Sequence, residues 1–159
     1  MTIAIGERFP DVTLKTCGSE GPGDLSTGAF LAGRKVVLFA LPGAFTPGCS
    51  NTHMPGFVVN ADRILAKGVD AIACLAVNDA FVLCAWQKDQ NAQAITMLAD
   101  GNGDFAEALG LTMDGSAFGL GKRGQRFSMV VNDGTVEQLH VEGPGEFKVS
   151  SAEYMLEQL

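Results

Sequence analysis

Hydrophobic positions along the chain fall into short clusters whose spacing predicts alternating strands and helices. A continuous apolar segment rich in β-branched residues covers residues 35–41, and a second apolar segment covers residues 71–77. Runs of this kind are typical of strands buried on both faces of a sheet. Between them, apolar residues after Cys49 recur at helical spacing as far as Leu65, which predicts a helix that ends at Gly68.

The second half of the chain continues the alternation. The remaining predicted elements are, in order, a helix from Asp79 towards residue 90, a strand at 94–98, a helix at 104–109, a strand pair at 127–131 and 135–141, and a helix at about 151–159. The strand pair flanks Asn132-Asp133-Gly134, a sequence that favours a hairpin turn. We therefore expect an α/β fold with a central mixed β-sheet and helices on both faces.

No linker, repeat or low-complexity tract interrupts the 159 residues. A chain of this length can bury one hydrophobic core, so residues 1–159 are expected to form a single domain. The glycines and the proline of residues 16–23 predict a surface loop there.

Composition narrows the classes of partner. Eleven Lys and Arg residues against eighteen Asp and Glu residues give a net charge of -7. This charge argues against nucleic acid and anionic membranes as partners, since both attract basic proteins. The first residues lack the basic start and apolar core of a secretory signal, and no apolar run is long enough to span a bilayer. We therefore expect a cytoplasmic protein.

The four cysteines, Cys17, Cys49, Cys74 and Cys84, are scattered and contain no C-x-x-C pair. Because the chain is long enough to form its own core, a disulfide scaffold is not expected, and all four are interpreted as thiols in a reducing cytosol. Cys74 lies in a predicted buried strand, where a small free cysteine packs well. Cys17 and Cys84 are expected to be incidental.

Cys49 differs because it lies where a rigid turn gives way to a helix, in the stretch PGAFTPGCSNTHMPGF. Unpaired backbone N–H groups and the helix dipole favour a thiolate at such a position. Pro42 fixes the backbone of the turn, Gly48 allows a ligand to approach the main chain, and Thr46 supplies a hydroxyl that can reach the sulfur or a substrate. The pattern predicts a site that activates a thiol.

Pro55 interrupts the predicted helix shortly after Cys49, removing one hydrogen bond and freeing the carbonyl of Asn51. Two interpretations stay open. The proline either bends the helix around the core, or weakens the first turn so that it can unwind after its reactive residue.

These residues resemble the active-site motif P-x-x-x-T-x-x-C of the peroxiredoxins, met by Pro42, Thr46 and Cys49. The longer stretch resembles the type-II branch, which includes glutaredoxin- and glutathione-linked members. GVDAIACLAVNDAFVLCAW, MLADG and QRFSMVVNDGTV are similar to the family in the same order, so the resemblance covers almost the whole chain.

The resemblance implies a thioredoxin-like fold and a cysteine peroxidase that reduces hydrogen peroxide and organic hydroperoxides. By position it makes Cys49 the peroxidatic cysteine, Thr46 its hydrogen-bond partner and Arg126 the catalytic arginine, with Pro42 shielding the pocket. A fixed cation beside the sulfur would stabilise charge developing along the O–O bond. The family also implies a homodimer, and reduction by glutathione and glutaredoxin or by thioredoxin. No metal or organic cofactor is implied.

Two further residues carry alternatives. The family contains members whose resolving cysteine occupies the position of Cys74 and others in which that cysteine has no such role. A catalytic cycle with Cys49 alone and a two-cysteine cycle with Cys74 as the resolving cysteine therefore both stay open. His53 has helical spacing to Cys49, but two ligands do not make a zinc site and no cluster supplies the others. We interpret His53 as a hydrogen-bonded residue that lines the pocket. Of the basic residues 122–126, only Arg126 leads into a buried strand.

A second class of function is compatible with the same cysteine. A redox sensor or a holdase would use oxidation of Cys49 as a switch without turnover. Thr46 and Arg126 favour the enzyme, because a sensor does not need fast chemistry. Steady consumption of peroxide with glutathione or glutaredoxin would distinguish the two classes from a single stoichiometric oxidation.

Overall fold

The computed structural model describes residues 1–159 and contains a seven-stranded sheet with helices on both faces. The strands are β1 (Thr13–Gly18), β2 (Gly21–Ser26), β3 (Lys35–Ala40), β4 (Ala71–Ala76), β5 (Ile95–Ala99), β6 (Thr112–Asp114), β7 (Lys122–Gly124), β8 (Phe127–Asn132) and β9 (Thr135–Val141). The helices are α1 (Thr27–Leu31), α2 (Met54–Leu65), α3 (Ala80–Asp89), α4 (Asp104–Leu109) and α5 (Ala152–Gln158). A π-helical turn, Cys49–His53, precedes α2, and a 3-10 turn, Ser116–Phe118, connects β6 to β7.

The sheet has the strand order β2-β1-β5-β4-β3-β8-β9, and β6 and β7 form a separate pair. Strands β3, β4 and β5 are parallel, whereas β1 and β8 run antiparallel to their neighbours β5 and β3. Because β3 and β4 are parallel, the loops after both strands leave the same edge of the sheet. There the side chain of Asn78 accepts a hydrogen bond from the backbone N–H of Ala44 at 2.8 Å.

Alternating residues of β3 divide the core into two clusters, one on each face of the sheet. Val37 and Phe39 belong to the cluster that α2, α3 and α5 cover. Val36 and Leu38 belong to the cluster that includes α4 and the N-terminal segment. All four side chains are fully buried, as expected for a strand covered on both faces.

The structure confirms the predicted α/β fold with a mixed sheet and helices on both faces. The hairpin of β8 and β9 forms around Asp133 and Gly134, both of which have positive φ angles. A side-chain oxygen of Asp79 caps α3 by accepting from the backbone N–H of Val82. No helix has the length and apolar character needed to cross a membrane.

The predicted surface loop at residues 16–23 is wrong. These residues belong to the antiparallel pair β1 and β2, in which Cys17 pairs with Pro22 and Gly18 with Gly21. Gly21 has a φ of 117°, a backbone conformation that glycine adopts without strain and that lets the chain reverse here. The glycines therefore form a hairpin turn rather than a loop. Pro22 is tolerated because β2 is an edge strand.

The prediction of four free thiols is wrong for two cysteines. Cys17 on β1 and Cys84 on α3 form a disulfide with a Cα–Cα distance of 5.5 Å. Cys49 and Cys74 are free and buried. Helix α3 packs against β1, and this tertiary contact joins two cysteines that are 67 residues apart in sequence.

Candidate active site

Cys49 begins the π-helical turn and its side chain is 0% exposed. The sulfur accepts a hydrogen bond from Nη2 of Arg126 at 3.3 Å. Arg126 directly precedes β8, the strand that pairs with β3 so that Phe127 lies opposite Ala40. The strand pairing therefore places the arginine beside the loop that follows β3, and brings together two residues separated by 77 positions.

Arg126 also donates a hydrogen bond from Nη1 to Nδ1 of His53 at 2.7 Å. Arginine has no acceptor atom, so Nδ1 must carry the lone pair and Nε2 the proton. Nε2–H in turn donates to the carbonyl of Ser150 at 2.9 Å. Burial, and then the neighbouring Arg126 cation, lower the pKa of His53 to about 3. The imidazole is therefore neutral and holds the guanidinium in position.

Glu142 stabilises the loop whose Ser150 carbonyl accepts the hydrogen bond from His53. The carboxylate, 7% exposed, accepts the backbone N–H groups of Lys148, Val149 and Ser150 and the Ser150 hydroxyl at 2.6 Å. Burial alone would raise the pKa of Glu142, but these hydrogen bonds, led by that of the Ser150 hydroxyl, outweigh it and lower the pKa. An ionised Glu142 thus fixes the loop whose Ser150 carbonyl orients His53.

The sequence analysis missed Glu142, Ser150 and Phe147. The ring centroid of Phe147 lies 5.7 Å from the guanidinium carbon of Arg126 and 5.1 Å from the centroid of His53. All three residues belong to a segment rich in glycine and proline that has no periodicity and no motif. Only the packing of this segment against Arg126 and His53 reveals what it does.

The loop between β3 and the π-helical turn is held by hydrogen bonds to its carbonyl groups. The Thr46 hydroxyl donates to the carbonyl of Gly43 at 2.7 Å, and Nη1 of Arg123 donates to the carbonyl of Pro42 at 3.1 Å. Because Thr46 uses its proton on the main chain, its oxygen lone pairs are left to accept. The Thr46 side chain therefore presents an acceptor in the loop next to Cys49.

Arg123, one of the basic residues before Arg126, bonds to main-chain carbonyls and does not lie in a solvated loop. This residue lies in β7, is half-buried, and also donates from Nε to the carbonyl of Leu120 at 3.0 Å. A side chain at Gly43 would collide with Nη1 of Arg123. The glycine is therefore needed for the arginine to reach the Pro42 carbonyl.

Gly48 and Pro55 shape the backbone around Cys49. A Cβ atom at Gly48 would lie 3.3 Å from Nη2 of Arg126, so glycine leaves room for the guanidinium. Pro55 lies in the first turn of α2, and the N–H of Met54 bonds to the carbonyl of Cys49, five residues back. At this predicted interruption the helix changes from π to α, between His53 and Met54, just before Pro55. Pro55 lies where an N-terminal α-helical turn tolerates proline.

Cys74 lies in β4 opposite Phe39 of β3 and is 0% exposed. Burial, and then the nearby charge of Cys49, raise the pKa of the Cys74 thiol well above its usual range. Cys49 and Cys74 belong to the same hydrophobic cluster but are not bonded to each other. A neutral buried thiol is a weak nucleophile.

The fold is thioredoxin-like, and a buried cysteine at the start of a helix, bonded to an arginine, is the arrangement of a thiol-dependent redox enzyme. Residues 4–156 match the family described as Redoxin. Peroxiredoxin-2E-2, chloroplastic, from Oryza sativa subsp. japonica is 47% identical over 99% of this chain and 73% of its own length. Peroxiredoxin-2D from Arabidopsis thaliana is 42% identical over 99% and 98%.

Among solved structures, reduced Prx3 from Vibrio vulnificus in complex with hydrogen peroxide has a TM-score of 0.95 and 50% identity, and the match covers 99% of both chains. The chain therefore belongs to the peroxiredoxins of the Redoxin family, which are thiol peroxidases. The resemblance read from the motif around Cys49 is confirmed.

Proposed function

We propose that Cys49 is the peroxidatic nucleophile of a peroxidase acting on hydrogen peroxide and organic hydroperoxides, and that Arg126 is its catalytic cation. The observation that carries this proposal is the guanidinium that bonds both the buried sulfur of Cys49 and the neutral imidazole of His53. The Vibrio vulnificus relative, solved with hydrogen peroxide, supports the substrate class.

The thiolate of Cys49 attacks one oxygen of the peroxide, so that an S–O bond forms and the O–O bond breaks. The leaving oxygen takes the bonding electron pair and then a proton, and departs as water or an alcohol. Donors aimed at charge that develops in the transition state lower its energy. Arg126 supplies such donors at the sulfur, and its fixed geometry requires no rearrangement during the reaction.

Thr46, Pro42 and Gly48 complete the pocket. The lone pairs of Thr46 accept the peroxide O–H, because its own proton is engaged by the Gly43 carbonyl. Pro42, held by Arg123, shields the sulfur from water. Gly48 leaves space for the arginine, and His53 lines the pocket and positions Arg126.

A thiol from outside the chain then reduces the sulfenic acid of Cys49. One thiol forms a mixed disulfide with release of water, and a second thiol frees Cys49. The proposed reductant is either glutathione with glutaredoxin or thioredoxin. The complete burial and raised pKa of Cys74 support an external thiol over an internal one. Peptide mass spectrometry of peroxide-treated protein, with and without glutathione, separates an adduct on Cys49 from a Cys49–Cys74 disulfide.

We also propose that residues 1–159 form a single domain. We propose further that this domain forms a homodimer through the surface next to the active site, where the segments after β3 and β4 lie. Support for the dimer comes from two exposed aromatic side chains in segments that follow β3 and β4, Phe45 at 53% and Phe81 at 76% exposure. Sedimentation should show a dimer that Phe81→Asp weakens. A parent protein that stays monomeric at micromolar concentration would exclude it.

The cytoplasm is the proposed location. The two free thiols, Cys49 and Cys74, support a compartment that keeps cysteines reduced. The Cys17–Cys84 disulfide needs an oxidant, which the peroxide substrate supplies. Fractionation of cells that express the tagged protein checks this location.

The first test of the nucleophile is Cys49→Ser. A hydroxyl at neutral pH is a far weaker nucleophile than a thiolate, so peroxide turnover with glutathione and glutaredoxin should vanish while the circular dichroism spectrum is kept. Most of the activity surviving in Cys49→Ser would disprove the assignment. Multiple turnovers by the parent protein would also separate the peroxidase from a sensor or a holdase, which consumes a single equivalent.

A further inference from the structure

The Cys17–Cys84 disulfide lies outside the peroxide site and has no part in the mechanism above. Both cysteines are half-buried, so small thiols can reach the bond from solvent. Their Cα atoms are 5.5 Å apart, within the range that lets a disulfide form or break without backbone movement. The bond joins β1, next to the sheet edge, to α3.

Helix α3 also contacts the turn that carries Cys49. Trp86, two residues after Cys84, is fully buried, and its indole Nε1–H donates to the hydroxyl of Ser50 at 3.0 Å. Ser50 follows Cys49 directly in the π-helical turn. A continuous series of contacts therefore leads from the Cys17–Cys84 disulfide through α3 and the indole of Trp86 to the turn Cys49–His53.

This series matters because a thiol far larger than a peroxide cannot reach the buried Cys49 sulfur while the turn keeps its folded conformation. A thiol that reduces the sulfenic acid must approach a sulfur whose residue is 0% exposed, so the turn Cys49–His53 has to open. The turn is suited to opening, because its hydrogen bonds are of the i to i+5 type and no side chain caps its N-terminus. Opening breaks the Trp86–Ser50 bond or pulls on α3, which the disulfide fastens to β1.

We propose that Cys17 and Cys84 form a second thiol–disulfide site, separate from the peroxide site, whose oxidised state restrains the opening of the Cys49 turn. Its reducing substrates are small thiols of the glutathione class or protein dithiols. The oxidised pair holds Trp86 against Ser50 and slows access to Cys49. The reduced pair frees α3 and speeds the step in which an external thiol reaches the sulfur. Only this last consequence rests on the proposed role of Cys49.

The chemistry of the second site balances with the reactants already named. In reduction, two thiols give up two electrons and two protons to the disulfide, and leave as one disulfide. In oxidation, one of the two cysteines attacks a peroxide and becomes a sulfenic acid, releasing water or an alcohol. The other cysteine then attacks that sulfur and displaces a second water, so that the peroxide accepts two electrons in all.

The first experiment tests the site without peroxidase activity. The variant Cys49→Ser/Cys74→Ser keeps only Cys17 and Cys84, and is equilibrated in buffers of graded glutathione to glutathione disulfide ratio, alkylated and mapped by mass spectrometry. The pair should pass between dithiol and disulfide as the ratio changes. A pair that stays in one state at every ratio would overturn the proposal.

The second experiment measures opening directly. Amide hydrogen exchange in residues 49–53 of Cys49→Ser should be slower by roughly 2- to 30-fold with the pair oxidised than reduced, the range that coupling between linked sites covers. Adding Cys17→Ser/Cys84→Ser to the same variant should give the exchange rate of the reduced pair, and this rate should not change with the glutathione ratio of the buffer. Equal exchange in both redox states would overturn the restraint.

A matched variant tests the route through the indole. Ser50→Ala removes the acceptor of Trp86 with little change of volume, so exchange in residues 49–53 should become insensitive to the redox state of the pair. A difference that persists in Ser50→Ala would overturn the route through Trp86. None of these readouts uses peroxide turnover, so a failure of the proposed peroxidase mechanism would show separately, in the activity of the parent protein.

Discussion

At the scale of single residues, Arg126 connects the candidate site, because its one guanidinium donates hydrogen bonds to both Cys49 and His53. The two contacts use separate nitrogens of a rigid fork, a geometry that lysine does not offer. His53 and, behind it, the Ser150 carbonyl fix where the fork points. The position of the cation therefore depends on the histidine tautomer as much as on the arginine itself.

We expect Arg126→Lys to slow the oxidation of Cys49 by peroxide and Arg126→Met to slow it further. Lysine keeps the charge but loses the fork, and methionine loses both. At a pH where Cys49 is fully ionised in each variant, methionine should still cost about 10²-fold in rate, the scale of losing one oxyanion donor. Stopped-flow measurement of peroxide oxidation gives these rates.

Arg63→Met is the matched control, because Arg63 is an exposed arginine on α2. Its rate should equal that of the parent protein. Should the Arg126 variants also reach the parent rate once Cys49 is ionised, Arg126 affects ionisation alone. Should they match it at every pH, Arg126 has no part in the chemistry.

Cys74→Ala should leave turnover with glutathione and glutaredoxin almost unchanged. Cys74 is fully buried and its raised pKa keeps the thiol neutral, so it is poorly suited to attack a sulfenic acid. Alanine is preferred to serine because it adds no buried hydroxyl that would need a partner. Turnover that collapses while the first oxidation stays fast would instead identify Cys74 as the resolving cysteine.

At the scale of elements, the β1–β2 hairpin at one edge of the sheet is joined to a helix by a covalent bond. The Cys17–Cys84 bond fastens the β1–β2 hairpin to α3 and closes a loop with a sequence separation of 67. Strand β1 has only one ladder pair with β5, Lys15 with Ala99. The disulfide therefore holds an edge of the sheet whose backbone pairing to the rest is sparse.

Removing this link should lower the free energy of unfolding by about 4 kcal/mol, the chain-entropy value for a loop of this length. Urea unfolding of the oxidised parent protein against Cys17→Ser/Cys84→Ser gives the difference. A reductant should lower the stability of the parent and leave the double variant unchanged. Equal stabilities of the oxidised parent and the variant would show that the bond adds nothing to the folded state.

At the scale of the whole molecule, the network behind Arg126 makes stability depend on pH. Burial and the Arg126 charge lower the pKa of His53 from 6.5 to about 3. Between these values the unfolded state binds more protons than the folded state, so stability falls as the pH drops from about 6.5 towards 3. The lowered pKa values of His140 and Glu142 act in the same direction.

We expect the free energy of unfolding to fall by about 2 kcal/mol between pH 7 and pH 5 through His53 alone, since one proton contributes about 1.4 kcal/mol per pH unit. His53→Gln should remove most of this dependence, because the amide can accept from Arg126 and donate to Ser150 without titrating. His140→Gln, at the half-buried second histidine, should remove less. Urea unfolding at both pH values measures each slope, and an unaltered slope in His53→Gln would contradict the expectation.

Much of the site could be predicted because its signals are local. Pro42, Thr46 and Cys49 lie within one loop and helix start, and the motif names their positions without a structure. Arg126 was found because it directly precedes a buried strand and matches the family pattern. Arg123, three residues earlier, was missed, since a charged residue next to a turn has the same sequence signature whether it is solvated or bonded to a distant carbonyl.

From β3 onward, apart from the short strands β6 and β7, the sequence by itself determined the order of strands and helices, since periodicities of two and 3.6 report burial along each element. It also indicated the candidate nucleophile, since proline, glycine and threonine at fixed offsets surround Cys49. Tertiary structure alone decided the Cys17–Cys84 bond, the β1–β2 hairpin and the support of Arg126 by His53, Ser150 and Glu142. Each of these joins residues far apart in sequence through the packing of separate elements. Side-chain periodicity shows which face of an element is buried, but not which other element packs against that face.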